Sequence, residues 1–183
     1  MKNLILVILV IILGSGFQNS FAQEKTKAEK KAEQQKIDEA NWYQLKQMID
    51  DKQFVFKGMI INSTNGTTTL DPRINFVSIE GENAVVQFAS GFGGNQNGIG
   101  GYTVEGTVDN YVVKAKKVGK GINVNLVVVP RVGQGVRSQP LNLNFTAFSF
   151  DSARLQIGGT TAFMQGEIAK PDEAKIFKGN TPN

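Results

Sequence analysis

The sequence predicts a mainly β protein, an antiparallel β-barrel or β-sandwich of about eight to nine strands behind an N-terminal helix. Three observations carry that expectation. From Gln53 onward, apolar residues recur with period two in segments short enough for strands. Turns rich in glycine, asparagine and aspartate separate those segments at short intervals. No interval between them holds a long stretch of helical period, which a parallel sheet would need for its crossovers.

The chain opens with Lys2 and an unbroken apolar run from Leu4 to Leu13, followed by Ser20-Phe21-Ala22. A basic start, an apolar middle and small residues before a cut define a secretory signal peptide, so residues 1–22 are expected to be removed before Gln23. The apolar stretch to Phe17 falls short of the roughly 20 residues that cross a bilayer, so no integral span is expected after cleavage. No cysteine follows the run, which excludes a cysteine-anchored lipoprotein. The remaining chain suits one domain, stabilised by packing and sheet closure since it has no disulfide to use. Its small positive surplus argues for solubility and gives no reason to expect a nucleic-acid partner.

Residues 23–52 read as a helical arm. Its first half, EKTKAEKKAEQQK, is built of helix formers with no apolar residue larger than alanine, a solvated helix with no face to insert in a membrane. In the second half Ile37, Trp42, Leu45, Met48 and Ile49 fall within about 140° of the helical wheel and are expected to dock on the β domain. The helix should end near Asp50-Asp51, since acids are unfavourable at a helix C-terminus.

The β domain is expected over residues 53–170. Phe54, Phe56, Gly58 and Ile60 alternate with Val55, Lys57, Met59 and Ile61, so the first strand is partly apolar on both faces. NSTNGTTTLDP reads as a turn-rich connection. Glu80-Gly81-Glu82-Asn83 reads as a hairpin turn, and Asp109-Asn110 as another between GYTVEGTV and NYVVKAKKV. GINVNLVVV alternates apolar residues with asparagines until Pro130 ends it. In LNLNFTAFSF, Leu141, Leu143, Phe145 and Ala147 share a face, but Phe148 and Phe150 fall on the other. Either a bulge near Ala147 swaps the faces or another segment covers that end. ARLQIGG and AFMQGEI complete nine candidate strands. The tail, residues 171–183, has little to bury and is expected to be loosely held.

The chemical motifs fail one by one. The glycine-rich stretch FASGFGGNQNGIGGYTVEG lacks the Gly-Lys-Ser/Thr of a phosphate loop, and a dinucleotide fingerprint starting at Gly91 and Gly93 meets Gln96 where it needs its third glycine. It reads as a connection whose glycines supply positive φ. With no histidine and no cysteine there is no imidazole base, no thiol nucleophile and neither of the preferred zinc ligands. The carboxylates Asp71, Glu80, Glu82, Glu105, Asp109, Asp151 and Glu167 are spread thinly, with no calcium-loop pattern. Lys114 and Lys116 share a solvent face and blunt a strand edge or attract an anion. No catalytic, cofactor-binding or metal residues are assigned.

The segments FVFKGMIINSTNG, INFVSIEGENAVVQFASGFGG, GGYTVEGTVDNY and ARLQIGGTTAFMQGEI, taken in this order behind a leader and a helical arm, resemble the bacterial domain of unknown function 4251 family. The resemblance spans about residues 30–169 and implies an exported protein in the periplasm or outer surface of a Gram-negative bacterium. It implies no activity. Where members carry a Pro-Tyr-Phe-Gly-like stretch, this chain reads Ala89-Ser90-Gly91-Phe92-Gly93.

The expectation for function is a non-enzymatic exported β domain. Phe54, Phe56, Phe88, Phe92, Tyr102 and Phe145 either line a cavity for a small apolar ligand or fill the core. An envelope protein-protein module docking through the helical arm is the alternative. A carboxylate hydrolase comes third, requiring acids from separate strands to meet in a pocket.

Overall fold

A computed structural model of the protein describes residues 26–64, 66–89, 98–131 and 139–180. The leader (1–22), residues 90–97 of the glycine-rich stretch including Phe92, and the centre of the RVGQGVRSQ loop lie outside the described residues. The chain divides into two units, residues 1–35 and residues 36–183. In the first, the described residues open helix α1 (Lys27–Asp50). The Glu29 amide donates to Thr26 Oγ1 (3.2 Å) and the Thr26 amide to Glu29 Oε2 (2.7 Å), a reciprocal cap written in the sequence as Thr-x-x-Glu.

The second unit is a closed barrel of eight antiparallel strands with one additional strand. Strand β1 (Gln53–Ser63) forms a hairpin with β2 (Gly66–Thr69). Then β3 (Phe76–Glu80) pairs with β1 on its other side, and β4 (Asn83–Phe88), β5 (Tyr102–Ala115), β6 (Ile122–Pro130), β7 (Leu141–Ser149), β8 (Ser152–Ile157) and β9 (Phe163–Ala169) follow, each beside its predecessor. Pairing of β9 with β1 closes the sheet. Closure removes the unpaired edges a sandwich would retain, which answers the absence of cross-links.

Alternation places Ile122, Val124, Leu126 and Val128 of β6 against Leu141, Leu143, Phe145 and Ala147 of β7 inside the barrel, with the asparagines outside. An eight-stranded barrel is just wide enough for such side chains to fill. Helix α1 adds Trp42, Leu45 and Ile49 to the same core. It is fixed by two hydrogen bonds, from Trp42 Nε1 to the Lys120 carbonyl (2.8 Å) and from the Tyr111 hydroxyl to the Ile49 carbonyl (2.5 Å). Met48 packs against this core, but Ile37 is 48% exposed, so the docking stripe begins later than its periodicity suggested.

Three local expectations are corrected. Asp109-Asn110 is no hairpin turn but an irregularity inside the single long strand β5. Asn110 takes φ of 48°, its amide bonded to Asp109 Oδ1, while β6 runs unbroken beside it. The connection NSTNGTTTLDP contains β2, folded back on the upper half of β1. The two errors cancel in the strand count.

The third correction concerns the tail, whose described part is strapped to the barrel wall. Ala174 and Ile176 pack with Val55, Phe76, Val85 and Ala169 in a second cluster on the outer face. The buried Gln87 amide anchors the strap: its Nε2 donates to the Phe177 carbonyl (2.8 Å) and the Ile74 carbonyl (3.2 Å). Its Oε1 accepts from the Gly179 amide (2.8 Å) and Thr103 Oγ1 (2.9 Å). Lys178 pairs with Glu105 at 2.8 Å. At Val55 the apolar second face of β1 is therefore covered, by a segment too short to declare itself by period.

Candidate binding groove

The strands β8, β9 and β1 form the closure seam, and alternation fails at two places beside it. On β1 the pairing with β9 jumps from Gly58↔Gly166 to Ile60↔Gln165, leaving Met59 as an extra residue. Gly58 and Met59 also leave the ladder with β3: the Gly58 amide donates to the Asn75 carbonyl and the Met59 carbonyl accepts from the Leu70 amide, both at 2.7 Å. On β7 the pairing with β8 jumps from Ala147↔Ala153 to Ser149↔Ser152, leaving Phe148 as the extra residue. A bulge re-aims the side chain it inserts. Met59 and Phe148 accordingly stand 43% and 54% exposed.

Both side chains line one groove of about 560 Å³. Ile60, Thr69 and Leu70 join Met59 on one side, Asp151 to Arg154 join Phe148 on the other, and Gln165 and Gly166 of β9 contribute between them. Gly166 is required there: a Cβ would stand 1.9 Å from the Lys57 carbonyl oxygen, so no side chain fits between β9 and β1. The guanidinium of Arg154 lies 3.4 Å from the centroid of the Phe163 ring, a cation-π contact that holds it against the wall.

The sequence-predicted residues gather elsewhere. Phe145 meets Phe54 and Phe56 edge-on, each with 5.7 Å between ring centroids, and Phe88 meets Tyr102 at 5.7 Å. None of the five is more than 3% exposed, and none lines the groove. They fill the barrel as core. A second concavity, beside Ile61, Ile157 and Met164, measures about 30 Å³, space for a water and not for an organic ligand.

Most of the carboxylates are engaged singly. Asp71 is gripped by Arg73, whose side-chain and backbone hydrogen bonds lower its pKa to about 2. Glu80 accepts from Ser78, while Glu82, Glu105 and Glu167 pair with Lys52, Lys178 and Lys57. Asp151 lines the groove. Among the described residues no group of three or more histidine, cysteine, aspartate or glutamate side chains is placed to hold a metal, and no helix is long and apolar enough to cross a membrane. Lys114 is exposed on the part of β5 that extends past β4, and Lys116, also exposed, follows directly after that strand ends.

Sequence reasoning missed the groove because its walls come from broken alternation. The signal was present: Phe148 and Phe150 on the wrong face of LNLNFTAFSF. A bulge near Ala147 does occur, and it sends Phe150 to pack against the core while leaving Phe148 outside.

Fold and groove together define a small, helix-capped, eight-stranded antiparallel barrel with a concave outer seam. A family model, Domain of unknown function (DUF4251), matches residues 35–157, and the chain belongs to that family. A crystal structure of a DUF4251 family protein from Bacteroides eggerthii DSM 20697 superposes with a TM-score of 0.55 at 22% identity, covering 76% of this chain and 93% of that one. That likeness concerns the fold alone. Comparison with curated proteins returned no match.

Proposed function

We propose that the protein is an exported, non-enzymatic barrel of the cell envelope that binds a small, largely apolar molecule in the seam groove. The observation that carries this reading is that two separate bulges turn large apolar side chains, Met59 and Phe148, outward into the same concavity. Leaving about half of either side chain in water forgoes about 1 kcal/mol of burial, and the volume lies within the range of small-molecule sites. Export is supported by the apolar run Leu4–Leu13 and by Ser20-Phe21-Ala22 before Gln23.

The test uses N-phenyl-1-naphthylamine, an uncharged apolar fluorophore, on protein purified after expression with its leader. The fluorescence should saturate at one probe per chain, and Phe148→Asp should abolish the signal without lowering the thermal midpoint. Non-saturating fluorescence, or equal binding by Phe148→Asp, contradicts the reading. Mass spectrometry of the same sample should find the chain beginning at Gln23.

A further inference from the structure

The groove also holds a cation that forms no ion pair among the described residues. Of the arginines in the described residues, Arg73 pairs with Asp71 at 2.7 Å and Arg131 approaches Glu105 at 4.0 Å. Arg154 pairs with no carboxylate among the described residues; its contact is the ring of Phe163. Stacking on a ring restrains the guanidinium plane while leaving its N–H edge free, and that edge matches the two oxygens of a carboxylate. The exposed Arg154 head and the exposed Met59 and Phe148 side chains line the same concavity, so apolar surface and fixed cation are presented together.

Resting on the groove reading above, we propose that the ligand is a single-chain amphiphilic monocarboxylate. Its alkyl portion lies between Met59 and Phe148, and its carboxylate accepts two hydrogen bonds from Arg154. Asp151 sets the charge limit. It lines the groove three residues from Arg154, so one cation and one anion face the ligand, and a second negative charge on the headgroup would meet repulsion with nothing to offset it. This favours a carboxylate over a dianionic phosphate monoester. The volume of about 560 Å³ accommodates one medium-length chain.

Calorimetric titration with decanoate and with decanol, below their micellar or solubility limits, separates headgroup from chain. The wild-type protein should bind decanoate about tenfold more tightly than decanol, the margin a charge-assisted bidentate contact supplies. Arg154→Gln should bring decanoate down to the decanol level and leave decanol unchanged. Asp151→Asn should tighten decanoate and not decanol. Equal binding of the two ligands by wild type, an equal loss of both in Arg154→Gln, or weaker decanoate binding by Asp151→Asn overturns the carboxylate assignment. If decanol still binds and Phe148→Asp removes it, the groove survives that failure. Binding of neither ligand removes groove and carboxylate together.

Discussion

Phe145 and Phe148 lie three residues apart on β7, yet one is 3% exposed and the other 54%. Phe145 obeys the alternation of its strand and meets Phe54 and Phe56 in the closed interior. Phe148 sits where the pairing with β8 gains a residue, and it faces the groove. The same residue type is thus buried in the core in one region and left exposed on the groove wall in the other. What differs is local register. The barrel interior is built by the regular ladder and is filled; the seam is built by departures from it and is open.

The contrast can be broken first at the interior. Phe145→Ala should cost about 3–5 kcal/mol in denaturant unfolding, since the cavity opens between two rings that cannot both follow, while decanol binding in the surviving folded protein stays unchanged. Gly166→Ala should cost about 2–3 kcal/mol, because its methyl group must displace the Lys57 carbonyl. It should also weaken groove binding, which joins the two regions at their shared backbone.

Under the C-terminal strap, Gln87→Leu should cost about 2 kcal/mol by leaving buried backbone groups of the strap without partners. Amide exchange at Gly179 should accelerate more than exchange in β6. Tyr111→Phe should cost about 1 kcal/mol for the hydrogen bond to Ile49. Burial, reinforced by the charge of Asp50, raises the ionisation of Tyr111 above the ordinary 10.0. Its contribution is therefore complete below pH 10.0 and is lost as pH rises from there toward the raised folded value. Wild type should lose stability over that alkaline window more steeply than Tyr111→Phe, which denaturation at stepped pH would detect. Phe148→Ser should change stability least, within about 0.5 kcal/mol, and still abolish ligand binding.

The regular part of this molecule was legible in its sequence for a physical reason: period two follows from the pleat, so Ile122 to Val128 and Leu141 to Ala147 declare their faces. Closure was not legible, because a barrel and a sandwich share that alternation and differ only in the pairing of β9 with β1. The tail was misjudged because Ala174 and Ile176 are few, and the pocket they fill is made by Val55 and Phe76 far earlier in the chain. The groove was half legible. Phe148 announced itself as out of phase, whereas Met59 looked like an ordinary outward residue until the register shift opposite Gly166 was known. Arg154 gave no signal, since whether it forms an ion pair is a fact about neighbours in space.

The most direct test follows the methyl resonances of the protein by NMR as decanol is added. The account predicts shifts at Met59, Ile60 and Leu70, with Leu143, Leu155 and Val124 unmoved in the filled interior. Movement of Leu143, Leu155 and Val124 with Met59 unchanged would contradict it, placing the ligand inside the barrel and leaving the seam as mere surface.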